Sequence, residues 1–399
     1  MASSQQPTSM ENLPHDILLY ILIRLPAKQL GQMRCVSKPW DFLLSQPSFV
    51  KSHLHRSTNL NDEIFLVLSD GNYDEDTFSI TPHDFSRSPR LDFPGFIKLP
   101  AIPFSARNKV IFFGSVNGLI SFGFPSHHGD DFVVKIWNPS LSAVLTVPSS
   151  DYKQHFDCLH FRFGYDPKTD DYKIVKLMSS SGIWCRLVIN MHEYDFFTVG
   201  RSFIRNAEDL VEGEVYSMKK GSWKLITNRL SSHVTMFSDE ETVCVDGHDG
   251  HLHWLGYVEG RQMIVSFDLG LESFGEISLP DSVNVYWNGL GIYGGKLCVT
   301  SFSRFDHYEV WVMNEYGVTD SWVKMNVFSD SSGEMGPYGF TSTNKFLFRS
   351  LSDCPDFDNP GVEKVESFMI RDGGDPDEIK IVRYVDSLVW VAPAKHGAC

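Results

Sequence analysis

The chain has 399 residues, more than one compact core usually holds and enough for two domains or one large repeat array. Its 42% hydrophobic and 21% charged composition, with 30 Phe, excludes wholesale disorder. Of the formal net charge of −15, residues 1–58 carry +3 and the rest −18, and so acidic a body repels phosphates, which excludes a general nucleic-acid binder.

Met1 to Ser9 are polar, so no signal peptide is expected. The longest apolar run, Ile17 to Ile23, is too short to span a bilayer, and no membrane contact is expected. Seven scattered Cys, an odd number with no C-x-x-C, predict reduced and mostly buried thiols. Asn138 is followed by Pro139, so no N-x-S/T acceptor is formed. Cytosol or nucleus is the expected location.

Three helices are predicted first. Leu13-Pro14 opens one, with Asp16 near its positive end. Ile17, Ile21 and Leu25 recur every fourth residue, as do Leu18 and Leu22, while Leu19 and Ile23 make the helix apolar nearly all round. Such a helix needs cover on two sides. Pro26 is expected to end it. A second helix follows over Ala27 to Val36, with Leu30 and Met33 as apolar positions. Pro39 suits the first turn of a third, which carries Trp40, Phe42, Leu43 and Leu44 and stops before Pro47.

After about residue 60 the pattern changes to short β-branched and aromatic runs between Gly, Asp, Asn and Ser turns, such as Ile64 to Leu68, Val133 to Trp137 and Tyr172 to Leu177. A degenerate three-strand repeat emerges. Its first strand reads as Asn117 to Ile120, Gly250 to Trp254 and Gly295 to Val299. The second reads as Lys135 to Asn138, Glu214 to Ser217, Val265 to Asp268, Val310 to Met313 and Ser367 to Ile370. The third reads as Ser222 to Leu225, Gly275 to Leu279, Ser321 to Lys324 and Glu378 to Ile381. Successive third strands, taken at Leu225, Ile277, Lys324 and Ile381, lie 52, 47 and 57 residues apart. These periods predict a β-propeller of about six blades, with a β-sandwich as the structural alternative.

Several patterns suggest chemistry. Gly289 to Gly294 fits G-x-G-x-x-G, but the strand Lys296 to Thr300 follows where a helix is required, so Gly294-Gly295 reads as a hairpin turn. His248, His251 and His253 lie near Asp246, and His251 and His253 share a strand face at a spacing that can bind zinc. No third ligand is evident, and packed or hydrogen-bonded histidines are expected. The acidic stretches Asp74 to Asp76, Asp353 to Asp358 and Asp372 to Glu378 lack EF-hand spacing and read as solvated turns. No nucleophile elbow occurs. No cofactor, metal or catalytic residue is expected.

Leu13-Pro14, Ile17-Leu18, Ile21-Leu22, Arg24-Leu25-Pro26, Leu30, Arg34 to Lys38 and Trp40 together resemble the F-box motif, over residues 9–55. Gly114 to Leu119, Trp137 to Ser140, Phe163 to Asp166, Asp171 to Val175, Glu214 to Ser217 and Ser222 to Lys224 resemble the type 1 F-box-associated domain of plant F-box proteins, a layout shared by S-locus and kelch-like F-box proteins; we assign this domain to residues 60–391. Pro39 before Trp40 departs from the motif and could tilt the third helix.

The resemblance implies a non-catalytic substrate-recognition subunit of a Skp–cullin–F-box ubiquitin ligase. Its helices bind a Skp-type adaptor and, through it, a cullin, while the β-domain binds a target protein or glycoprotein. Carried over to matching positions, the adaptor surface comprises Leu13, Pro14, Ile17, Leu18, Leu25, Pro26, Leu30, Val36 and Trp40. The pattern alone leaves open which of these face a partner and which hold the helices together. Roughly 45 residues cannot bury enough surface to be stable alone, so the helices need a partner or must cap the β-domain. Two rival functions are a stand-alone binding or enzymatic propeller with a helical cap, and an F-box scaffold outside the ligase pathway.

Overall fold

The computed structural model describes residues 13–59, 64–69, 79–84, 100, 110–126, 132–151, 158–179, 211–227, 234–236, 249–258, 261–281, 283, 288–303, 307–329, 335–340, 344, 346–350, 365–368 and 380–392. Four helices come first: α1 (His15–Leu22), α2 (Ala27–Val36), α3 (Lys38–Leu44) and α4 (Pro47–Asn59). Pro14 sits at the N-cap of α1, and Pro26 starts α2 rather than ending α1, which stops at Leu22. Ser37 caps α3 by accepting from the Trp40 N–H at 3.5 Å, with Pro39 in the first turn. The local pattern predicts an end before Pro47, and the structure adds α4 beyond it. Proline at a first helical position starts a helix as readily as it ends one, and α4 buries Phe49 and His53.

Among the described residues after the helices, every regular element but the short 3-10 turn Thr319–Ser321 is a strand, in sheets arranged like the blades of a propeller. Strands β1 (Ile64–Ser69) and β2 (Ser79–Asp84) form a hairpin. The first four-stranded antiparallel sheet is β3 (Ile111–Val116), β4 (Leu119–Pro125), β5 (Phe132–Asn138) and β6 (Ala143–Thr146), paired in chain order. The second is β7 (Cys158–Asp166), β8 (Asp171–Ser179), β9 (Val211–Ser217) and β10 (Ser222–Leu225). The third is β11 (Val234–Met236), β12 (His251–Val258), β13 (Arg261–Asp268) and β14 (Ser273–Ser278). The fourth is β15 (Asn288–Tyr293), β16 (Lys296–Ser303), β17 (His307–Met313) and β18 (Trp322–Ser329).

Two three-stranded sheets remain among the described residues. One is β19 (Met335–Phe340), β20 (Phe346–Ser350) and β21 (Val365–Phe368), with β20 and β21 parallel. The other adds β22 (Lys380–Tyr384) to β1, in the order β2-β1-β22. This corrects the repeat. The segment around Ile381 pairs with the first strand of the domain, Val67 opposite Ile381, and does not form the outer strand of a last blade. Chain spacing locates a strand but cannot name its partner.

The three strands of the sequence repeat are the second, third and fourth strands of complete sheets. Three of the four second strands, β4, β12 and β16, are entered through a residue pair in the left-handed region: Asn117-Gly118 (φ 53° and 77°), Asp249-Gly250 (47° and 82°) and Gly294-Gly295 (57° and 75°). The Gly289 to Gly294 motif thus lies in a β-hairpin, with Tyr293 opposite Lys296. No helix opens on its glycines.

Inner strands such as β4 are buried on both faces, which explains runs that are apolar throughout, while the fourth strands β6 and β10 are largely exposed. On β8, Ile174 packs toward the first sheet with Phe113 and Ile136, while Val175 and Leu177 pack toward the third with Leu252 and Trp254. Leu255 of β12 faces the fourth sheet with Leu290 and Val299, and Ile120 and Phe122 of β4 face Val382 of β22. One apolar cluster thus fills each of these interfaces.

A polar staple joins the second sheet to the third. Lys173 Nζ is 3.0 Å from Asp166 Oδ2, 2.6 Å from the Leu269 carbonyl and 3.5 Å from Glu272 Oε1, with Lys173 and Asp166 both buried. Asp166 also accepts from Thr169 Oγ1 at 2.5 Å and the Lys168 N–H at 2.9 Å. Burial alone raises the Asp166 carboxyl, but the hydrogen bonds from Thr169, Lys173 and Lys168 outweigh it and hold the group below the usual range. Asp268 and Glu272 are likewise held low, against the burial that raises them, chiefly by the Leu271 backbone and by Lys224 respectively. His160 is pushed down to about 4 by burial and by Arg162.

All four depressed values act in one direction. In each window the unfolded chain binds more protons, so stability rises with pH. The carboxylates contribute fully above their unfolded values, about 4, and the contribution is lost as pH falls through their folded values. His160 acts between about 6.5 and 4. We expect the urea midpoint to decline below about pH 6.5 and more steeply below about pH 4. A midpoint that holds or rises down to pH 3 would contradict this.

Candidate partner-binding face

The helices bury one apolar face and leave another uncovered. Leu22, Ala27, Leu30, Leu44 and Phe49 form their buried core together with Leu388 from the end of the chain, and Leu141 of the β5–β6 turn packs beside it. Against this inner face, Leu13, Ile17 and Tyr20 follow one outer stripe of the α1 segment at i, i+4 and i+7. Ile17 is 49% exposed and Tyr20 63%. Val36 at the end of α2 is 77% exposed and Phe42 on α3 72%. Large apolar side chains this exposed on so small a unit make it a candidate interaction surface. The all-round apolar character of α1 therefore divides between an inner side on the chain's own core and an outer side left open.

The nine residues expected at an adaptor surface divide the same way. Leu13, Pro14, Ile17, Pro26 and Val36 are exposed. Leu18, Leu25 and Trp40 are half-buried at the edge of the helical core. Leu30 is fully buried inside it and offers no surface to a partner, which corrects its place in the face. Its i, i+3 relation to Met33 made it legible as apolar but not as internal. Tyr20 and Phe42 were not assigned to the face from sequence. The signal for Tyr20 was its place on the Leu13–Ile17 stripe. The Arg24 guanidinium stacks 3.2 Å from the Tyr20 ring centre, and Arg24 also donates to the Tyr20 carbonyl, which fixes the edge of the face. Arg34 Nε donates to Asp41 Oδ1 at 2.9 Å and ties α2 to α3.

The histidines on β12 are packed. His253 is buried with Nε2 2.8 Å from the Tyr316 hydroxyl, and His251 lies 3.6 Å from Asp268 Oδ2 with its ring against Tyr316. No group of three metal-ligating side chains gathers among the described residues. His248, Asp246 and the three acidic stretches lie outside the described residues. Of the cysteines described with their side chains, Cys35 is exposed and Cys298 buried, both as free thiols. No helix among the described residues is long and apolar enough to cross a membrane.

A small helical unit with exposed apolar side chains, followed by β-sheets in a propeller-like arrangement, has the two-part layout of an F-box protein. The F-box-like family model matches residues 10–56, and the F-box associated beta propeller domain (FBA_3) matches residues 64–349. The chain belongs to the plant F-box proteins that carry an F-box-associated domain. It is 30% identical over 338 residues to F-box protein CPR1 of Arabidopsis thaliana, covering 79% of this chain and 73% of that protein. It is 26% identical over 364 residues to putative F-box protein At5g15660 of the same plant, covering 89% and 75%. To F-box/kelch-repeat protein At3g23880, also of Arabidopsis thaliana, it is 23% identical, covering 81% of each chain.

Proposed function

We propose that this protein is the substrate-recognition subunit of a Skp–cullin–F-box ubiquitin ligase and catalyses nothing itself. The observation that carries the reading is the exposure of Ile17, Tyr20, Val36 and Phe42 on helices whose other apolar side chains pack into a buried core. The face docks a Skp-type adaptor and through it a cullin. Leu13, Pro14, Pro26 and Val36 belong to it with Ile17, and Leu18, Leu25 and Trp40 flank it. We assign the F-box to residues 9–55 and the recognition domain to 60–391, with the two three-stranded sheets completing a ring of six blades. Loops on the rigid blades select the target, a protein or glycoprotein. Holding a target lysine beside a charged ubiquitin-conjugating enzyme raises its effective concentration, which is the whole of the catalytic contribution.

The test is co-purification with a Skp-type adaptor, wild type against Leu13→Ala/Pro14→Ala, with circular dichroism as the folding control. We expect a stable wild-type complex and a clear loss in the double variant. A well-folded wild-type chain that captures no adaptor would leave the helices as a cap on a stand-alone propeller. Target turnover that continues when the cullin is inactivated would place the complex outside the ligase pathway.

A further inference from the structure

The helical unit is completed from the far end of the chain. The first residue of α2, Ala27, follows Pro26, which has no side-chain acceptor to cap the helix. The acceptor comes from Asp386, whose Oδ2 takes the Ala27 N–H at 2.7 Å. Its carboxylate sits at the positive end of α2. Two residues on, Leu388 is 1% exposed inside the core of the helices, among Leu22, Leu30, Leu44 and Phe49. The buried His53 of α4 lies beside the same junction, with Nε2 donating to the Leu25 carbonyl at 3.0 Å and 4.0 Å from Asp386 Oδ2.

The alternate residues of this segment are held by the propeller. Asn138 Nδ2 donates to the carbonyls of Ser387 at 3.0 Å and Val389 at 2.7 Å, and the Ser387 N–H donates to Ser140 Oγ at 3.0 Å. Gly118 lies so close that a Cβ there would stand 2.3 Å from the Val385 carbonyl oxygen. Val391 then returns to the apolar cluster between the first and second sheets. The segment leaves directly from β22, the strand that joins the end of the domain to its beginning. Its placement therefore depends on that pairing.

We propose that residues 385–391 are an intramolecular latch that makes the partner-binding helices conditional on a closed propeller. The F-box is then not autonomous. A chain interrupted before Asp386 keeps every F-box residue yet lacks a helix cap and a core side chain. The adaptor is offered only chains whose recognition domain is complete, and the helices are held in one orientation relative to the blades. The consequence for adaptor capture rests on the proposed docking function; the latch itself does not.

The test is amide hydrogen exchange of the full-length protein, read separately over residues 15–59 and over the blades, with adaptor capture measured on the same preparations. Asp386→Ala should speed exchange in α2 about fivefold, the loss of one cap. Leu388→Ala should speed exchange throughout α1–α4 by about thirtyfold or more. The blades should exchange as in wild type, and capture should fall in the same order. Trp390→Ala, at an exposed position of the same segment whose ring lies 5.9 Å from the Arg34 guanidinium carbon, should loosen α2 no more than Asp386→Ala does and leave the rest of the helices as in wild type. Helices that exchange as wild type in both variants would overturn the latch. Blades that loosen as much as the helices would also overturn it, because the segment would then be ordinary ring core. A wild-type chain that captures no adaptor, while Leu388→Ala still loosens the helices, would sink the docking function and leave the latch standing.

Discussion

A chain carrying Ile17→Asp and Val36→Asp together unfolds at the wild-type urea concentration yet binds a Skp-type adaptor at least about a hundredfold more weakly. The two side chains are 49% and 77% exposed and absent from the helical core, so their loss costs the free protein little. In a complex they pass from water to an apolar contact. Removing two such anchors costs about 2 kcal/mol each or more, and each new carboxylate must be desolvated without a partner. Leu30→Asp is the contrasting case. Its side chain is fully buried among Leu22, Leu44 and Phe49, so the charge unfolds the helices and docking is lost through the fold. Isothermal titration beside urea unfolding separates the two. Binding within about threefold of wild type for the exposed pair would place the adaptor contact elsewhere.

Lys173→Ala destabilises the chain by about 3–5 kcal/mol, the effect of removing one member of a buried ion pair. The ammonium touches Asp166, Glu272 and the Leu269 carbonyl, and no water-exposed route can replace it, because the Lys173 and Asp166 side chains are 6% and 1% exposed. Without it Asp166 keeps its bonds from Thr169 and Lys168 but loses its counter-charge, and the Leu269 carbonyl loses its donor. Lys224→Ala, which breaks the neighbouring pair with Glu272 at an exposed position, costs less than about 1 kcal/mol. Urea unfolding of the two variants measures the contrast. Equal and small losses would mean that the staple is solvated and adds little to the packing of the second sheet on the third.

The staple shows what the sequence carried. Phe163 to Asp166 and Asp171 to Val175 were read as family-like segments, and the fold gives them a physical task. Asp166 and Lys173 tie two sheets, Ser217 donates to Asp171 at 2.5 Å across the second, and Asn138 of the Trp137 to Ser140 segment grips the chain end. Helices α1 to α3 were legible from four-residue apolar spacing and proline positions, and the second to fourth strands of the blades from turns and β-branched runs. Three features were not. Helix α4 has a sparse apolar stripe, Phe49, Val50, His53 and Leu54, behind a proline that reads equally as a stop. Strand β22 pairs with β1 across more than 300 residues, and local pattern holds no information about that partner. The division of α1 into a packed and an open side depends on Leu388 and Leu141, which reach the helices only through the tertiary fold. The site was thus legible as a list of apolar residues, but not as a face.

The most direct test of the central claim is a hydrogen-exchange footprint of a purified Skp-type adaptor on the full-length chain. Protection is expected only over residues 13–26 and 36–42, with the blades unchanged. Protection on the blades, or none on the helices with adaptor in excess, would contradict it.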